Sequence, residues 1–147
     1  MNEVFADTSG WANYLVRSEP FHQAAKTLMQ QWYREHTKVV TTNYVLSELV
    51  ALFISPLRIA RSQQIQAIET IISAEWIEVV HIDRKLHDQA WQFLKKYDDK
   101  MWSLVDCSSL VVMQERRMTQ GFTTDHHFEQ AGFLVVALAS VGKMKNA

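Results

Sequence analysis

Short apolar segments alternate along this chain with longer segments of helical periodicity, and this alternation constrains the fold more than any other feature. The apolar segments span residues 3–6, 38–42, 76–80, 120–124 and 133–137, each the length of a buried strand. Apolar residues recur with a helical period in residues 21–35, 43–54, 57–73, 84–96, 103–118 and 125–130. Because parallel strands need a crossover between them, usually a helix, the pattern predicts an α/β fold with a mainly parallel sheet covered on both faces.

Nothing in the sequence indicates a second domain or a membrane span. Only two prolines and four glycines interrupt the 147 residues, and no segment is repeated or low in complexity, so we expect a single domain of residues 1–147. The longest apolar run, residues 133–139, is far shorter than the ~20 residues that cross a bilayer. We therefore expect a cytoplasmic protein without membrane contact. The one cysteine, Cys107, is expected to be a buried packing residue.

The overall charge does not mark the chain as a nucleic-acid binder. Fifteen basic and sixteen acidic residues give a net charge of -1, whereas a nucleic-acid-binding domain usually carries a basic patch or stripe. An enzyme that cleaves RNA needs such a patch only around its site. The candidate phosphate contacts are Lys100, Arg116 and Arg117, followed by Lys95 and Lys96. The alternative for each of them is a solvated helix face.

Two aspartates follow predicted strands at points where the chain enters a helical segment. Asp7 follows the first strand (VFA-DTSGW), and Asp125 follows the fourth (GFTT-DHHF). The functional crevice of a parallel sheet lies at the carboxyl ends of its strands, so both side chains are expected at the same edge. For either aspartate taken alone, the simpler explanation is a helix N-cap, because Asp is a preferred capping residue.

Two further acids lie on predicted helices. The neighbouring turns of the helix that carries Glu48 are apolar or aromatic, with Tyr44, Val45, Ala51 and Leu52. A carboxylate on such a face needs a cation, hydrogen-bond donors or a raised pKa, and pairing with a lysine or arginine is the alternative to metal binding. Asp106 follows Ser103 by three residues, which is the spacing of a capping box as well as the position of a possible functional acid.

Mutual repulsion makes four clustered carboxylates costly, by about 4 kcal/mol for each pair at about 4 Å and an effective dielectric of about 20. A bound cation removes this cost. Oxygen ligands favour a hard ion, and the sequence has no cysteine and histidine set with the spacing of a zinc site. The acids therefore predict a site for Mg²⁺ (or Mn²⁺).

Four segments resemble the successive sequence motifs of the PIN-domain family, and in particular those of bacterial VapC-like toxins: MNEVFADTSGW, TTNYVLSEL, DKMWSLVDCSSLVVMQERRM and GFTTDHHFEQAGF. They occur in the family's order and span the chain from end to end. The resemblance implies a three-layer α/β/α PIN-like domain with a central five-stranded parallel sheet of order 3-2-1-4-5. It also implies a metal-dependent endoribonuclease that acts on single-stranded regions of RNA.

The resemblance also assigns the site residues. All four acids fall on the family's acidic positions and are the predicted catalytic and metal-binding residues: Asp7, Glu48, Asp106 and Asp125. Asp99 resembles an auxiliary acid of the family, and Asp98 beside it is the weaker candidate. Thr8 and Ser9 are expected to face the metal or a phosphate. Two more polar residues are expected to orient the acids: Asn43 and Thr124.

The implied chemistry is hydrolysis of a phosphodiester, in which the ion lowers the pKa of a bound water and neutralises charge on the phosphate. Asp7 and Asp125 are expected to hold the ion. Glu48 or Asp106 is expected to complete the coordination and to help accept the proton of the water. The resemblance implies products with 5′-phosphate and 3′-hydroxyl ends.

A histidine pair, His126 and His127, follows the fourth acid. An imidazole titrates near neutrality, which suits general acid–base catalysis. The HF pair that His127 forms with Phe128 resembles the family's pattern, and the start of a helix has backbone groups to satisfy. His127 is therefore expected to pack or cap this turn rather than to transfer protons.

The resemblance implies three partners: an RNA substrate, a second copy of the chain in a homodimer, and an antitoxin. An apolar C-terminal segment of the antitoxin is expected in a groove between helices near the acidic site. The abundance of large apolar residues, five tryptophans among them, supports such interfaces, because a small core does not hide them all.

Two other functions are compatible with the sequence. A catalytically silent PIN-fold module would bind RNA or protein, but it has no reason to keep all four acids. A phosphatase of the haloacid dehalogenase type would use Asp7 as its nucleophile, but DTSGW lacks the second aspartate two positions on. Loss of RNA cleavage in Asp7→Asn with binding retained separates catalysis from binding.

Overall fold

The computed structural model of the chain describes residues 2–138, so residues 1 and 139–147 of the predicted domain lie outside the described part. The described strands are β1 (Glu3–Ala6), β2 (Lys38–Thr42), β3 (Ile77–Val80), β4 (Gln120–Thr123) and β5 (Leu134–Ala137). The described helices are α1 (Thr8–Leu15), α2 (His22–Arg34), α3 (Asn43–Ile54), α4 (Arg61–Ser73), α5 (Arg84–Lys96), α6 (Leu104–Glu115) and α7 (His127–Gln130).

The strands are parallel and lie in the order β3-β2-β1-β4-β5, which confirms the predicted α/β class and the order 3-2-1-4-5. The order reverses at β1, which lies between β2 and β4. Because crossovers between parallel strands are right-handed, the helices that lead from β1 to β3 and those that lead back to β4 cover opposite faces. A reversal of this kind leaves a crevice at the carboxyl ends of the strands.

The strand register brings three strand ends level. Phe5 of β1 pairs with Val40 of β2 on one side and with Gly121 of β4 on the other. We call the edge formed by the carboxyl ends of β1, β2 and β4 the C-terminal edge of the sheet. Residues that directly follow these strands therefore lie close together.

The core combines buried residues of the strands and of the helices, and it includes three of the five tryptophans. Trp11, Trp32 and Trp102 are buried, whereas Trp91 is 47% exposed. Cys107 is buried, as predicted. Other large apolar side chains are exposed as well: Tyr33, Ile54, Ile65, Ile72 and Met101. Within residues 2–138, no helix combines the length and the apolar content that spanning a membrane requires.

Some element boundaries differ from the prediction. Helix α1 was not predicted as a separate helix, because its eight residues, TSGWANYL, are too few for a clear apolar period. The helix predicted from residue 57 begins only at Arg61. Arg58 has a φ of 53°, which an α-helix does not accommodate. The helix predicted to end at residue 118 ends at Glu115, and Arg117 beyond it has a φ of 55°.

Candidate active site

Three buried contacts fix the backbone around Asp7, at the end of β1. Its N–H donates to the carbonyl of Phe122 in β4 (3.2 Å). A Cβ on Gly10 would lie 2.2 Å from the same carbonyl oxygen, so glycine allows α1 to begin this close to β4. The Trp11 indole donates to the hydroxyl of Thr41 (3.1 Å), which in turn donates to the backbone at the end of β1 (2.9 Å).

The side chain of Asp7 is buried and does not cap the helix that follows it. Asp7 occupies the N-cap position of α1 but makes no side-chain cap hydrogen bond, which removes the alternative offered by the sequence. Its Oδ2 accepts a hydrogen bond from the Thr123 hydroxyl (3.3 Å). Its Oδ1 is buried and has no hydrogen-bond partner among residues 2–138. A buried carboxylate oxygen of this kind needs a ligand.

The electrostatic surroundings of Asp7 include the other three acids. Burial raises the pKa from 3.8 to about 7, and repulsion from Asp106, Glu48 and Asp125 adds to this rise. The backbone amide of Thr8 opposes it. The four predicted acids therefore come together around Asp7, although they are separated by up to 118 residues along the chain.

Glu48 is half-buried on the second turn of α3. Its Oε1 accepts a hydrogen bond from the Thr8 hydroxyl (2.5 Å). Burial raises its pKa, the Thr8 hydroxyl lowers it, and repulsion from Asp106 and Asp125 raises it further. No lysine or arginine in the described part of the chain forms an ion pair with Glu48. The alternative that Glu48 is half of a structural ion pair is therefore not supported.

Asp106 is buried at the start of α6, where it forms the capping box that its spacing from Ser103 predicts. The Ser103 N–H donates to Asp106 Oδ2 (3.0 Å), and the Asp106 N–H donates to the Ser103 hydroxyl (3.0 Å). Capping and a place in the acidic cluster are thus compatible, because the capping box fixes the carboxylate at the C-terminal edge.

Asp125 lies in the turn after β4 and is less buried than Asp7 or Asp106. Its N–H donates to the Thr123 hydroxyl (2.9 Å), and its Oδ1 accepts from the N–H of His127 (3.0 Å). Thr123 therefore contacts two of the acids, since its hydroxyl also donates to Asp7. We did not predict this residue. The sequence does contain a signal for it, because a threonine two residues before an aspartate can accept a hydrogen bond from the aspartate N–H in a turn.

His127 is the second residue whose place in the site the sequence did not predict. Its Nδ1 lies 2.9 Å from Asp106 Oδ2 and 3.2 Å from Asp125 Oδ2. The expectation that His127 packs or caps the turn rather than transfers protons stays a prediction, and the structure adds that the ring faces two of the acids. His126 is exposed instead, and its Nδ1 lies 3.3 Å from Glu129 Oε2.

The four supporting polar residues are placed at the C-terminal edge, with contacts that differ from those expected. The Thr8 hydroxyl orients Glu48. The Ser9 hydroxyl accepts from the Thr124 N–H (2.9 Å) and contacts the Thr123 hydroxyl (3.0 Å), so it braces the end of β4. Asn43 accepts from the N–H of Ile82 (2.6 Å) and holds the segment after β3 rather than an acid. The residue that orients Asp125 is Thr123 and not Thr124.

The two arginines among the predicted phosphate contacts lie at the opposite end of the strands from the C-terminal edge. Arg116 pairs with Glu78 (2.6 Å) and Glu3 (3.4 Å), where β1 begins, and its hydrogen bond lowers the pKa of Glu78. Arg117 follows it in the same turn. A strand of four residues separates the two edges by about 13 Å. These two arginines therefore lie away from the acids, and their contact with RNA phosphates stays a prediction.

The segment before α6 carries the remaining candidates. Asp99 is exposed, and its carboxylate lies 3.9 Å from the ammonium of Lys100. No hydrogen bond or ion pair joins Asp99 to the four acids within residues 2–138, and Asp98 is exposed too. Lys96 lies over the ring of Tyr97 (5.3 Å). Lys100 lies in the segment before α6, and its contact with an RNA phosphate stays a prediction.

The donor set fits a hard divalent ion. It consists of carboxylate oxygens and one imidazole nitrogen, and one ligand atom each from Asp106, Asp125 and His127 lie within 4.8 Å of one another. The unpartnered Oδ1 of Asp7 adds a buried acceptor that no described protein group satisfies. Mg²⁺ and Mn²⁺ are the ions that prefer such oxygen-rich surroundings.

Comparisons with known proteins agree with this geometry. The family model described as PIN domain matches residues 4–134. The chain is 31% identical over 133 residues, 90% of its length, to a Mycobacterium tuberculosis protein, the 23S rRNA-specific endonuclease VapC20, and covers 97% of it. The crystal structure of VapC20, described as a sarcin–ricin loop cleaving toxin, matches with a TM-score of 0.77 and 30% identity over 88% of this chain and 95% of that one.

Two more distant structures share the fold. VapBC2 of Rickettsia felis, bound to a DNA fragment from its promoter, matches with a TM-score of 0.69 and 9% identity over 92% of this chain and 98% of that one. FitAcB of Neisseria gonorrhoeae matches with a TM-score of 0.62 and 13% identity over the same shares of the two chains. The family-model match and the VapC20 relationship, together with the parallel sheet and its acidic edge, establish that the chain belongs to the PIN-domain family.

Proposed function

We propose that the chain is an Mg²⁺- or Mn²⁺-dependent endoribonuclease and the toxin of a toxin–antitoxin pair. The observation that carries the proposal is the environment of Asp7. Its carboxylate is buried, one of its oxygens has no partner in the described part of the chain, and three other carboxylates repel it. A cluster of this kind is costly without a cation and is well suited to hold one.

The roles of the acids follow from their contacts. Asp7, Asp106, Asp125 and Glu48 would hold the ion. When bound, such an ion lowers the pKa of a water and neutralises charge on the phosphate and on the departing oxygen. The hydroxyls of Thr8, Ser103 and Thr123 keep the acids in place before substrate arrives. Fixed geometry of this kind is what catalysis at a phosphate needs.

Glu48 is the better placed of the two acids to accept the proton of the attacking water. In the metal-free protein, burial raises its pKa, so its carboxylate takes up a proton more readily than an exposed one does. Asp106 uses its Oδ2 in the capping box and toward His127. We assign the proton to Glu48 and an orienting and ligating role to Asp106. Hydrolysis by this route leaves 5′-phosphate and 3′-hydroxyl ends.

The name of the relative VapC20 favours ribosomal RNA as the substrate of this chain. VapC20, the relative at 31% identity, is named as a 23S rRNA-specific endonuclease, and this chain covers 97% of that protein. We propose that the chain cleaves a single-stranded loop of 23S rRNA in the cytoplasm. Single-stranded loops present unstacked bases and an accessible backbone, which a site at the edge of a sheet requires.

Cleavage of bacterial ribosomes and of total RNA by the purified chain tests the proposal. Reactions contain Mg²⁺, Mn²⁺ or EDTA, and they compare the wild type with Asp7→Asn and with Asp83→Asn. Asp83 is a matched control because it is an exposed aspartate that caps α5 and makes no hydrogen bond or ion pair with the four acids within residues 2–138. Discrete fragments that need the metal and are absent only with Asp7→Asn are expected. Binding to ribosomes without cleavage under any condition would favour the catalytically silent module instead.

We further propose that the chain pairs with an antitoxin and forms a homodimer. A groove of about 860 Å³ between α5 and α6 is lined by Phe93 and Val111 together with charged residues, and it suits an apolar segment of the antitoxin.

A different surface suits the homodimer. The exposed Ile65 and Ile72 lie seven residues apart on one face of α4 and could pack against a second copy of the chain. Light scattering should give the mass of a dimer, and co-expression with a small antitoxin gene adjacent to that of the chain should yield a complex that does not cleave RNA.

A further inference from the structure

The imidazole of His127 lies where the proposed ion would bind. We propose that His127 Nδ1 is a direct ligand of this ion, beside Asp106 and Asp125, so that the site combines nitrogen and oxygen ligands. The inference rests on the proposed function, because it assumes that the acidic cluster binds a divalent ion. It goes beyond that function because the sequence assigned His127 no part in metal binding.

The distances around His127 match those between neighbouring ligands of one ion. Nδ1 is 2.9 Å from Asp106 Oδ2 and 3.2 Å from Asp125 Oδ2. In an octahedral site with bonds of about 2.1 Å, adjacent ligand atoms are about 3.0 Å apart. Both distances from Nδ1 fit this spacing, and one ligand atom each from Asp106, Asp125 and His127 lie within 4.8 Å of one another.

The position of the ring is fixed by the chain around it. The His127 N–H donates to Asp125 Oδ1 (3.0 Å), and the next residue, Phe128, is fully buried. Nδ1 carries at most one proton, so it cannot donate a full hydrogen bond to both carboxylates at once. The second carboxylate then faces the nitrogen without a proton between them, an arrangement that a shared ion satisfies.

Asp7 gives an independent indication that a ligand belongs here. Its Oδ1 is buried and unpartnered among residues 2–138, and its carboxylate is repelled by Asp106 and Asp125, the two acids that His127 contacts. His127 does not reach that oxygen through any described hydrogen bond. A hydrogen-bonded imidazole alone therefore leaves Asp7 unsatisfied, whereas an ion held by all four residues would not.

A nitrogen ligand changes which ion the site prefers. Mg²⁺ binds imidazole poorly and favours oxygen, whereas affinity for nitrogen rises along the first-row metals from Mn²⁺ onward. With His127 as a ligand, the wild type should bind Mn²⁺ more tightly than Mg²⁺. Replacing His127 by phenylalanine, which keeps a ring but removes the nitrogen, should weaken Mn²⁺ binding by about tenfold or more and affect Mg²⁺ less.

Electron spin echo spectroscopy of the Mn²⁺-loaded full chain tests the inference directly. A directly bound imidazole couples its nitrogen to the Mn²⁺ spin, and labelling histidine with ¹⁵N changes the resulting modulation. The coupling is expected in the wild type and in His126→Phe, the neighbouring exposed control, and it should be absent from His127→Phe. Titration calorimetry with Mn²⁺ and with Mg²⁺ gives the affinities of the same proteins.

The outcomes separate this inference from the proposed function. Mn²⁺ that binds without histidine coupling in the wild type would overturn the role of His127 and leave the nuclease proposal standing. Coupling that persists in His127→Phe would also overturn it. A wild type that binds no Mn²⁺ would overturn both proposals. The wild-type spectrum decides the matter even if His127→Phe does not fold.

Discussion

Replacing Asp7 by asparagine should abolish cleavage and yet stabilise the metal-free protein above neutral pH. In the folded protein, burial raises the pKa of Asp7 to about 7, against 3.8 for an accessible aspartate. The folded state therefore holds a proton more tightly than the unfolded state does. The stability that comes with this proton is fully present below pH 3.8, declines as the pH rises, and is lost above pH 7.

The size of the effect follows from the shift. A difference of about 3 pKa units corresponds to about 4 kcal/mol, at about 1.4 kcal/mol for each unit. This value is an upper limit for Asp7→Asn, because the neighbouring acids share the protons of the cluster. Asparagine keeps the shape of the side chain, cannot ionise, and can donate its amide to the surrounding carboxylates. We expect it to raise the free energy of unfolding at pH 8 by about 2–4 kcal/mol.

Urea unfolding in EDTA, followed by tryptophan fluorescence between pH 4.5 and 8, measures this difference. Asp83→Asn is the control, because this exposed side chain accepts from the Leu86 N–H and asparagine caps a helix equally well. The wild type and the control should lose stability as the pH rises, and Asp7→Asn should lose less, because Glu48, whose pKa burial also raises, still titrates. Saturating Mn²⁺ should stabilise the wild type but not Asp7→Asn. The reasoning fails if Asp7→Asn is no more stable than the wild type at pH 8.

Three further substitutions test separate parts of the structure. Gly10→Ala places a Cβ 2.2 Å from the Phe122 carbonyl oxygen and should destabilise the fold by at least about 2 kcal/mol in urea unfolding. Thr8→Val removes the hydroxyl that lowers the pKa of Glu48, so the acidic limb of the kcat/KM profile should move to higher pH. Arg116→Gln removes the pairs with two glutamates and should cost at most about 1 kcal/mol, with RNA cleavage unchanged.

The sequence predicted the fold and the cluster for the same physical reason. Apolar strands that alternate with helices require a parallel sheet, and the carboxyl ends of its strands meet at one edge. Asp7 and Asp125 could be placed there from their positions alone. Glu48 followed from the apolar turns around it. The strand order required the resemblance to the family, because alternation fixes the class of sheet but not the neighbours of each strand.

The positions of Arg116 and His127 and the start of α4 depend on features that short sequence motifs do not encode. Arg116 is ten residues beyond Asp106, and a helix rises about 1.5 Å per residue, so α6 carries it about 15 Å from the acidic edge. His127 meets Asp106 across 21 residues of sequence, and this contact depends on how α7 sits against α6. The late start of α4 depends on Arg58 in a left-handed conformation, for which arginine gives no signal in the sequence.

The dependence of RNA cleavage on metal decides whether the acids around Asp7 form the active site of a nuclease. A short RNA that contains the mapped cleavage site is incubated with the wild type, Asp7→Asn and Asp83→Asn across a range of Mn²⁺ concentrations, and the ends of the products are identified. We expect a rate that saturates with Mn²⁺, falls at least about 100-fold in Asp7→Asn and is unchanged in Asp83→Asn, and we expect products with 5′-phosphate ends. Cleavage that proceeds equally well in EDTA, or leaves cyclic phosphates, would contradict this expectation.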